Sequence, residues 1–309
     1  MQLLGLHHIT AIASDPKKNL EFYTRVLGLR FVKKSVNQDD PGTYHLYYGD
    51  NVGSPGTALT FFPWAGIRRG RAGNGQAYAT GFSLPAGALE FWRERLAKLK
   101  IETGPVETRF ADQVLPVLDV DGLRLDLVFT TEADSRARAP STDVPREHAI
   151  RGFHSTTLAL ASPAETIALL TTGMGYKHVS TSGSRARYTV ATGGPGSYVD
   201  ILSDPKMPNG LNGAGTVHHI AFRVADDAAH RAAHEQIQKL GLHVSPIIDR
   251  AYFKSIYYRE PGGVLFEIAT DQPGFTIDES VETLGTVLGL PPHLESHRAE
   301  IEAALPKLD

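Results

Sequence analysis

The strongest constraint on the fold of this chain is a weak internal repeat, in which a strand-like segment and then a helix-like segment occur four times. The strand-like segments are apolar runs at residues 6–13, 78–84, 153–160 and 217–224. Each is followed by helix start signals, such as Asp15-Pro16, and then by two or three further strand-like runs. The helices start roughly 65 to 80 residues apart, which is too long for a helical solenoid and typical of a β-α-β-β-β unit.

Four such units predict an α+β fold of βαβββ modules that pair into two half-barrels, followed by a tail. Residues 132–151, rich in alanine, arginine, serine and proline, are the predicted linker between two halves. The expected domains are an N-terminal half of two modules over residues 1–135 and a C-terminal half of two modules over residues 150–275. Residues 276–309 form a helical-looking tail, which Pro291-Pro292 is expected to divide in two.

Composition narrows the class of protein. The 309 residues carry a formal charge of −3 and no long basic run, so nucleic acid and anionic membranes are not expected as partners. Cysteine is absent, which excludes disulfides, cysteine–zinc sites and thiol nucleophiles. The N-terminus has no signal-like stretch, and no apolar run approaches the ~20 residues that span a bilayer. We therefore expect a soluble cytoplasmic protein.

Two histidine pairs stand at equivalent places in the repeat, His7-His8 in the first unit and His218-His219 in the fourth. Glu267 lies within the apolar strand VLFEI that closes the fourth unit. A buried carboxylate needs a partner, and histidines are suitable partners for a shared metal. Two histidines and one carboxylate form the set that binds non-haem Fe(II) and leaves coordination positions open. The pattern therefore indicates a metal site.

Strand alternation indicates which histidine of each pair would bind the ion. His218 shares a face with Phe222 that is suited to packing against a helix, whereas His219 lies on the other face. The same alternation points Glu267 toward the cavity, and His8 follows from aligning the first unit with the fourth. Because metal–ligand bonds are only about 2 Å long, units one and four must pack face to face around the ion. Units two and three would then form a second, metal-free half.

The strand that closes each unit offers a further check. In this alignment the position of Glu267 is taken by Thr60, Asp126 and Asp200 in the other units. Thr60 cannot serve as a strong fourth ligand, so three protein ligands are expected. We interpret Asp126 and Asp200, which lack the histidine partners, as relics or structural acceptors. The predicted cavity walls are aromatic: Phe61, Phe62, Trp64, Tyr252 and Phe253.

Four segments together resemble one known family: residues 5–10 (GLHHIT), 44–48 (YHLYY), 152–155 (GFHS) and 257–267 (YYREPGGVLFE). They look like the ring-cleaving dioxygenases of the glyoxalase (vicinal oxygen chelate) superfamily, above all the hydroquinone 1,2-dioxygenases. The resemblance implies the paired βαβββ modules of the glyoxalase fold and an Fe(II) held by His8, His219 and Glu267. It also implies a surrounding set of residues with catalytic roles: His7, Thr10, His218, Arg250 and Tyr257.

The resemblance further implies an extradiol-type reaction on a hydroquinone- or catechol-like diol. A ring C–C bond breaks, and both atoms of O2 enter the product. Tyr257 and His218 are the expected partners for proton transfer or for hydrogen bonds to the ring oxygen. Arg250 is expected to pair with an acid or with a substrate oxygen. Mn(II) is the alternative ion, since the same ligands accept either metal.

Two other functions stay open at this point. A glyoxalase-type metal-dependent lyase or isomerase shares the fold but would usually use a fourth protein ligand. A non-catalytic binding or resistance protein would sequester an aromatic compound at the same site without turnover. The expected partners are a small aromatic diol and O2, and the tail from Phe275 onward could dock on a partner subunit of a homo-oligomer.

Overall fold

The computed structural model describes residues 1–138, 141 and 143–308, so the predicted linker 132–151 lies in part outside the described residues. Each repeat begins with a long strand. The strands of repeats one and two are β1 (Leu6–Ala13), β2 (Arg30–Asn37), β3 (Asp40–Gly49), β4 (Ala58–Pro63), β5 (Gln76–Pro85), β6 (Glu107–Arg109), β7 (Asp112–Leu118) and β8 (Arg124–Thr130). Those of repeats three and four and of the tail are β9 (Phe153–Leu160), β10 (Lys177–Ser182), β11 (Arg185–Thr189), β12 (Tyr198–Ser203), β13 (Thr216–Val224), β14 (Ile248–Asp249), β15 (Lys254–Arg259), β16 (Leu265–Thr270) and β17 (Leu288–Gly289).

A helix follows the first strand of every repeat. The helices are α1 (Pro16–Glu21), α2 (Leu89–Lys98), α3 (Ala164–Ala168) and α4 (Asp227–Lys239), and π-helical turns Phe22–Val26 and Leu169–Gly173 extend α1 and α3. Asp15 caps α1, as its sequence predicts, because its carboxylate accepts hydrogen bonds from the amides of Lys17 and Lys18. In the part of the chain that the structure describes, no helix is long and apolar enough to cross a membrane.

Two curled sheets pair the repeats. The nine-stranded sheet has the order β14-β15-β16-β13-β1-β4-β3-β2-β17, so it joins repeat four to repeat one. The eight-stranded sheet has the order β10-β11-β12-β9-β5-β8-β7-β6, so it joins repeat three to repeat two. The opening strands of the paired repeats run antiparallel at each junction. The predicted α+β fold of modules paired into two half-barrels is therefore confirmed.

The outer face of each sheet packs against the helices and forms the hydrophobic core. Phe61, Phe222 and Phe266 are fully buried there, and burying each such side chain contributes about 1.5–3 kcal/mol to folding. The ring of Phe61 lies 4.6 Å from that of Tyr23, next to α1. The inner face of the sheet is left free to form a site.

The tail returns to the sheet of repeats one and four. Residues Phe275–Ile277 form a 3-10 turn, and β17 then pairs parallel to β2. Beyond Pro291 a second 3-10 turn, Pro292–His297, leads into α5 (Arg298–Ala304). The helical part of the tail thus follows the two prolines, and the part before them runs along the chain's own sheet.

Candidate active site and metal centre

His8, His219 and Glu267 meet inside the half-barrel of repeats one and four. They lie on three adjacent strands, β1, β13 and β16. The Nε2 atoms of His8 and His219 lie 3.2 and 3.0 Å from Oε2 of Glu267 and 3.4 Å from each other. All three side chains are buried. Among the described residues, they form the one group of histidine, cysteine or acidic side chains that could hold an ion with three ligands.

The donor atoms of this cluster suit a divalent cation. Oε2 of Glu267 is buried and makes no hydrogen bond to the described residues, which is unusual for a carboxylate oxygen. Burial opposes ionisation of Glu267, but the attraction of His8 and His219 outweighs it and holds the pKa of the carboxyl well below its ordinary value. Burial also lowers the pKa of His219, although its contact with Glu267 opposes this shift. A carboxylate oxygen together with two imidazole nitrogens is a ligand set that transition metals accept.

His8 is oriented by the histidine that precedes it. Nδ1 of His8 lies 2.9 Å from Nδ1 of His7, and Nε2 of His7 lies 3.1 Å from the carbonyl oxygen of Thr270. Burial lowers the pKa of His7 to about 3, so its ring carries one proton. Because a carbonyl only accepts, that proton is on Nε2, and Nδ1 of His7 accepts from Nδ1–H of His8. Nε2 of His8, the ring nitrogen that does not contact His7, therefore faces the candidate metal position.

The fourth repeat has the same contact between adjacent histidines, but here the partner of the candidate ligand lies on the cavity wall. Nδ1 of His219 lies 2.8 Å from Nδ1 of His218, and burial lowers the pKa of His218 to about 3. If His219 binds a metal through Nε2, its Nδ1–H donates to His218, whose own proton is then on Nε2. His218 lines the cavity, with its ring 5.6 Å from Phe62 and 6.2 Å from Trp64. It thus presents an N–H donor on the cavity wall.

β-bulges explain why both histidines of each pair approach the site. The register of β1 and β13 shifts twice, and the residues left without a cross-strand partner are His7 on β1 and His218 on β13. A bulge inserts one residue and changes the direction of the side chains beside it. The prediction that His218 faces the helix is wrong for this reason, because alternation holds only where the register is unbroken.

A cavity of about 430 Å³ opens onto His8 and His219, the two candidate ligand histidines. Three of the five aromatic walls predicted from the sequence are present: Phe62, Trp64 and Phe253. The prediction is wrong for Phe61, which lies on the helix-facing side of β4. It is also wrong for Tyr252, which packs in a small apolar cluster with Phe275 of the tail.

The five residues implied by the family resemblance fall into two groups. Tyr257, His218 and Arg250 line the cavity. His7 and Thr10 do not line it; they are buried behind the candidate ligands, where His7 contacts His8 and Thr10 pairs with His219 across the strands. The first group can touch a substrate, and the second can act only through other residues.

Arg250 joins the interior of the cavity to its rim. Its Nε donates to the hydroxyl of Tyr257 at 3.2 Å, and its other nitrogens lie 3.3 Å from oxygens of Gln38 and Asp39. The Tyr257 ring lies 5.7 Å from that of His219. Burial raises the pKa of Tyr257 well above its ordinary value, so the phenol keeps its proton and can donate it to a hydrogen bond.

His45 and Tyr47 are cavity residues that sequence reasoning missed. Nδ1 of His45 lies 2.6 Å from the hydroxyl of Tyr47, and its Nε2 lies 2.8 Å from Oγ1 of Thr60. Thr60 Oγ1 is in turn 2.7 Å from Oγ1 of Thr10. The available signal was their two-residue spacing in the segment YHLYY, which places both on one face of β3.

Repeats one and four place different residues at the same position of their closing strands, Thr60 on β4 and Glu267 on β16. Glu267 in β16 and Thr60 in β4 each pair with a tyrosine of the neighbouring strand. Two residues before its tyrosine, β15 carries Ser255, whose hydroxyl donates to Oε1 of Glu267. At the equivalent place β3 carries His45, which bonds Thr60. Repeat four thus supplies an oriented carboxylate, and repeat one fills the matching position with a hydroxyl that is already engaged.

The half-barrel of repeats two and three contains ion pairs at the corresponding positions. Asp126 accepts from Arg109 at 2.5 Å, and Asp200 accepts from Arg187 at 2.8 and 3.1 Å. The sequence-based interpretation of Asp126 and Asp200 as structural acceptors agrees with these bonds. Their charges are neutralised by guanidinium groups rather than left for a metal.

Comparison with known proteins places this architecture in a family. The model of the Glyoxalase/Bleomycin resistance protein/Dioxygenase superfamily matches residues 5–127 and 128–268. The chain is 45% identical to a Bacillus subtilis protein named "Putative ring-cleaving dioxygenase MhqO", over 98% of this chain and 96% of that one. It is 36% identical to the chlorohydroquinone/hydroquinone 1,2-dioxygenase of Sphingobium indicum, over 96% and 94% of the two chains.

A solved structure agrees with these sequence matches. The crystal structure of a "putative dioxygenase" from Bacillus subtilis superimposes on this chain with a TM-score of 0.95 and 44% sequence identity. The match covers 100% of this chain and 98% of that one. The family expected from the four sequence segments is therefore confirmed. The chain belongs to the glyoxalase, bleomycin resistance protein and dioxygenase superfamily.

Proposed function

We propose that the protein is an Fe(II)-dependent, extradiol-type ring-cleaving dioxygenase acting on a hydroquinone- or catechol-like diol. The observation that carries the proposal is a buried cluster of two histidines and one carboxylate beside an aromatic-lined cavity. Two relatives that match over nearly their whole length have ring-cleaving or hydroquinone dioxygenase in their names, which supports this activity.

His8, His219 and Glu267 would hold the ion, and Thr60 would leave the fourth protein position open. Fe(II) bound there would lower the pKa of a diol hydroxyl and hold the diol and O2 in contact. Mn(II) is the alternative, because imidazole and carboxylate ligands accept both ions.

The cavity fits a substituted aromatic ring. A cavity of roughly 150 Å³ is enough to hold benzene, so the 430 Å³ found here leaves room for ring substituents and for O2. Phe62, Trp64 and Phe253 provide an apolar wall that orients the ring and excludes water.

His218 and Tyr257 would interact with the oxygens of the bound diol. Burial raises the pKa of Tyr257, so its phenol keeps a proton to donate. With a metal on His219, the proton of the neutral His218 ring would be on Nε2, so both residues would act first as hydrogen-bond donors. Arg250 would keep the hydroxyl of Tyr257 in place through the 3.2 Å hydrogen bond. We expect these three residues to stabilise the negative charge that develops on the ring oxygen.

Anaerobic reconstitution with Fe(II), followed by oxygen-electrode recording with hydroquinone and then catechol, tests the proposal. Wild type should consume one O2 per diol and form a ring-opened product that gains both atoms of labelled O2. His219→Ala and Glu267→Gln should show no uptake. Ser155→Ala is the matched control, because Ser155 lies in the other half-barrel on the strand equivalent to β1, and it should retain activity.

Two results would contradict the proposal. Wild type that binds Fe(II) but takes up no oxygen with any diol would favour a binding protein without turnover. Conversion of a substrate without oxygen uptake would favour a lyase or isomerase. The hydroxyl of Thr60 already bonds Thr10 and His45, which argues against the fourth ligand that such a lyase would use.

A further inference from the structure

The inner face of the metal half-barrel contains a space that the sheet itself does not fill. Three alanines face inward at the end of the strands away from the cavity mouth: Ala58, Ala221 and Ala269. They lie two residues along their strands from Thr60, His219 and Glu267, respectively. Tyr252 and Phe253 fill this space together with Phe275 and Leu284 of the tail. The tail therefore forms part of the interior of the half-barrel, rather than a surface appendage.

Ion pairs to the buried Lys33 fix the tail at this end. Lys33, on β2, is 1% exposed, and its ammonium contacts the carboxylates of Asp278 and Glu279 at 2.5 Å each. The hydroxyl of Tyr252 donates to Asp278 at 3.0 Å, and the Lys33 ammonium lies 4.9 Å from the centre of the Tyr252 ring. An unpaired buried ammonium is strongly unfavourable, so Lys33 requires the tail carboxylates in the folded protein.

Tyr252 connects this cluster to a metal ligand. The next residue, Phe253, has its ring 4.8 Å from His8 and 5.1 Å from His7. The residue before it, Ala251, has φ +71, a left-handed conformation that is unfavourable for alanine and persists only where the surroundings impose it. The segment 251–253 is thus held in one conformation, with the tail on one side and the His8 imidazole on the other.

We propose that the tail segment 275–289 is a positioning element of the metal centre. It closes the half-barrel opposite the cavity mouth and, through Asp278, Tyr252 and Phe253, fixes the ring of His8. This inference rests on the metal site of the proposed function. The tail then does more than stabilise the fold, because loosening it would change how His8 meets the ion.

Co(II) titration of the metal-free protein tests this inference, since both the affinity and the visible spectrum of Co(II) report ligand geometry. Tyr252→Phe removes the bond to Asp278 and keeps the packed ring. Tyr252 acts on His8 only through Phe253, so we expect this substitution to raise the Co(II) dissociation constant by up to about tenfold, the low end of the effect of losing a direct partner of a metal ligand, and to alter the spectrum. Asp278→Asn, which weakens the same link from the tail side, should act in the same direction.

Tyr198→Phe is the matched control, because the Tyr198 hydroxyl bonds Glu132 in the other half-barrel at 3.0 and 2.9 Å. It should bind Co(II) like wild type. If Tyr252→Phe and Asp278→Asn lose thermal stability but keep the wild-type affinity and spectrum, the tail is only structural and the inference is overturned. If wild type itself binds no Co(II), the metal site of the proposed function fails, and the inference fails with it.

Discussion

Ser255 offers a sharp test of how the candidate carboxylate ligand is held. Its side chain is fully buried, and its hydroxyl donates to Oε1 of Glu267 while Oε2 faces the two histidines. Ser255→Ala would leave Oε1 buried without a donor, which costs about 1–3 kcal/mol. It would also free the carboxylate to rotate away from the ion. Removing such an outer partner typically weakens metal binding 10- to 100-fold, or about 1.4–2.8 kcal/mol.

Isothermal titration of the metal-free protein with Mn(II), with thermal unfolding measured in parallel, would check this magnitude. Ser255→Thr keeps the hydroxyl and should recover most of the affinity. Ser197→Ala is the control, since the buried Ser197 hydroxyl donates to a backbone carbonyl of the other half-barrel at 2.6 Å. Mn(II) affinity of Ser255→Ala within twofold of wild type would refute the reasoning, because Glu267 would then be oriented without Ser255.

Three further predictions test the surrounding residues. Thr60→Val should lower the free energy of unfolding by about 1–3 kcal/mol, because Thr10 and His45 lose a buried partner. A loss of metal affinity as large as that of Glu267→Gln would contradict the assignment of Thr60 as a non-ligand. His218→Ala should lower kcat/KM about 100-fold or more with Fe(II) still bound, and unchanged kinetics would remove it from the reaction. Burial raises the pKa of Asp119 to about 6 in the folded protein. Between about pH 4 and 6 the Asp119 carboxyl is therefore protonated in the folded state but ionised in the unfolded state. The free energy of unfolding of wild type, relative to that of Asp119→Asn, should therefore fall as the pH rises through this range. A difference between the two proteins that does not change with pH would contradict the shift.

The repeats and the candidate metal ligands could be predicted from the sequence for a clear physical reason. Apolar runs and helix caps recur at a fixed spacing, and a carboxylate inside an apolar strand needs a partner. That His8 pairs with His219 follows from the short reach of metal bonds, which requires the first and fourth units to meet. These arguments use residue type and spacing alone, and both can be read from one chain.

What could not be predicted depends on single-residue register and on packing between distant segments. The bulge at His218 adds one residue to a strand without a distinctive sequence signal, and it reverses the direction that alternation assigns. Phe61 and Phe62 are adjacent and chemically identical, so only the register of β4 decides which one reaches the cavity. The position of Tyr252 depends on the tail, whose carboxylates resemble ordinary surface residues in the sequence.

The order of strands in the nine-stranded sheet determines when its two halves can pair during synthesis on the ribosome. His8 and His219 are 211 residues apart in the sequence, and Glu267 is synthesised later still. Repeats two and three are consecutive, so their half-barrel can close while the chain is still emerging. The first repeat must wait, with one sheet edge unpaired, until the fourth arrives. The three candidate metal ligands therefore come together only after nearly the whole chain has been made.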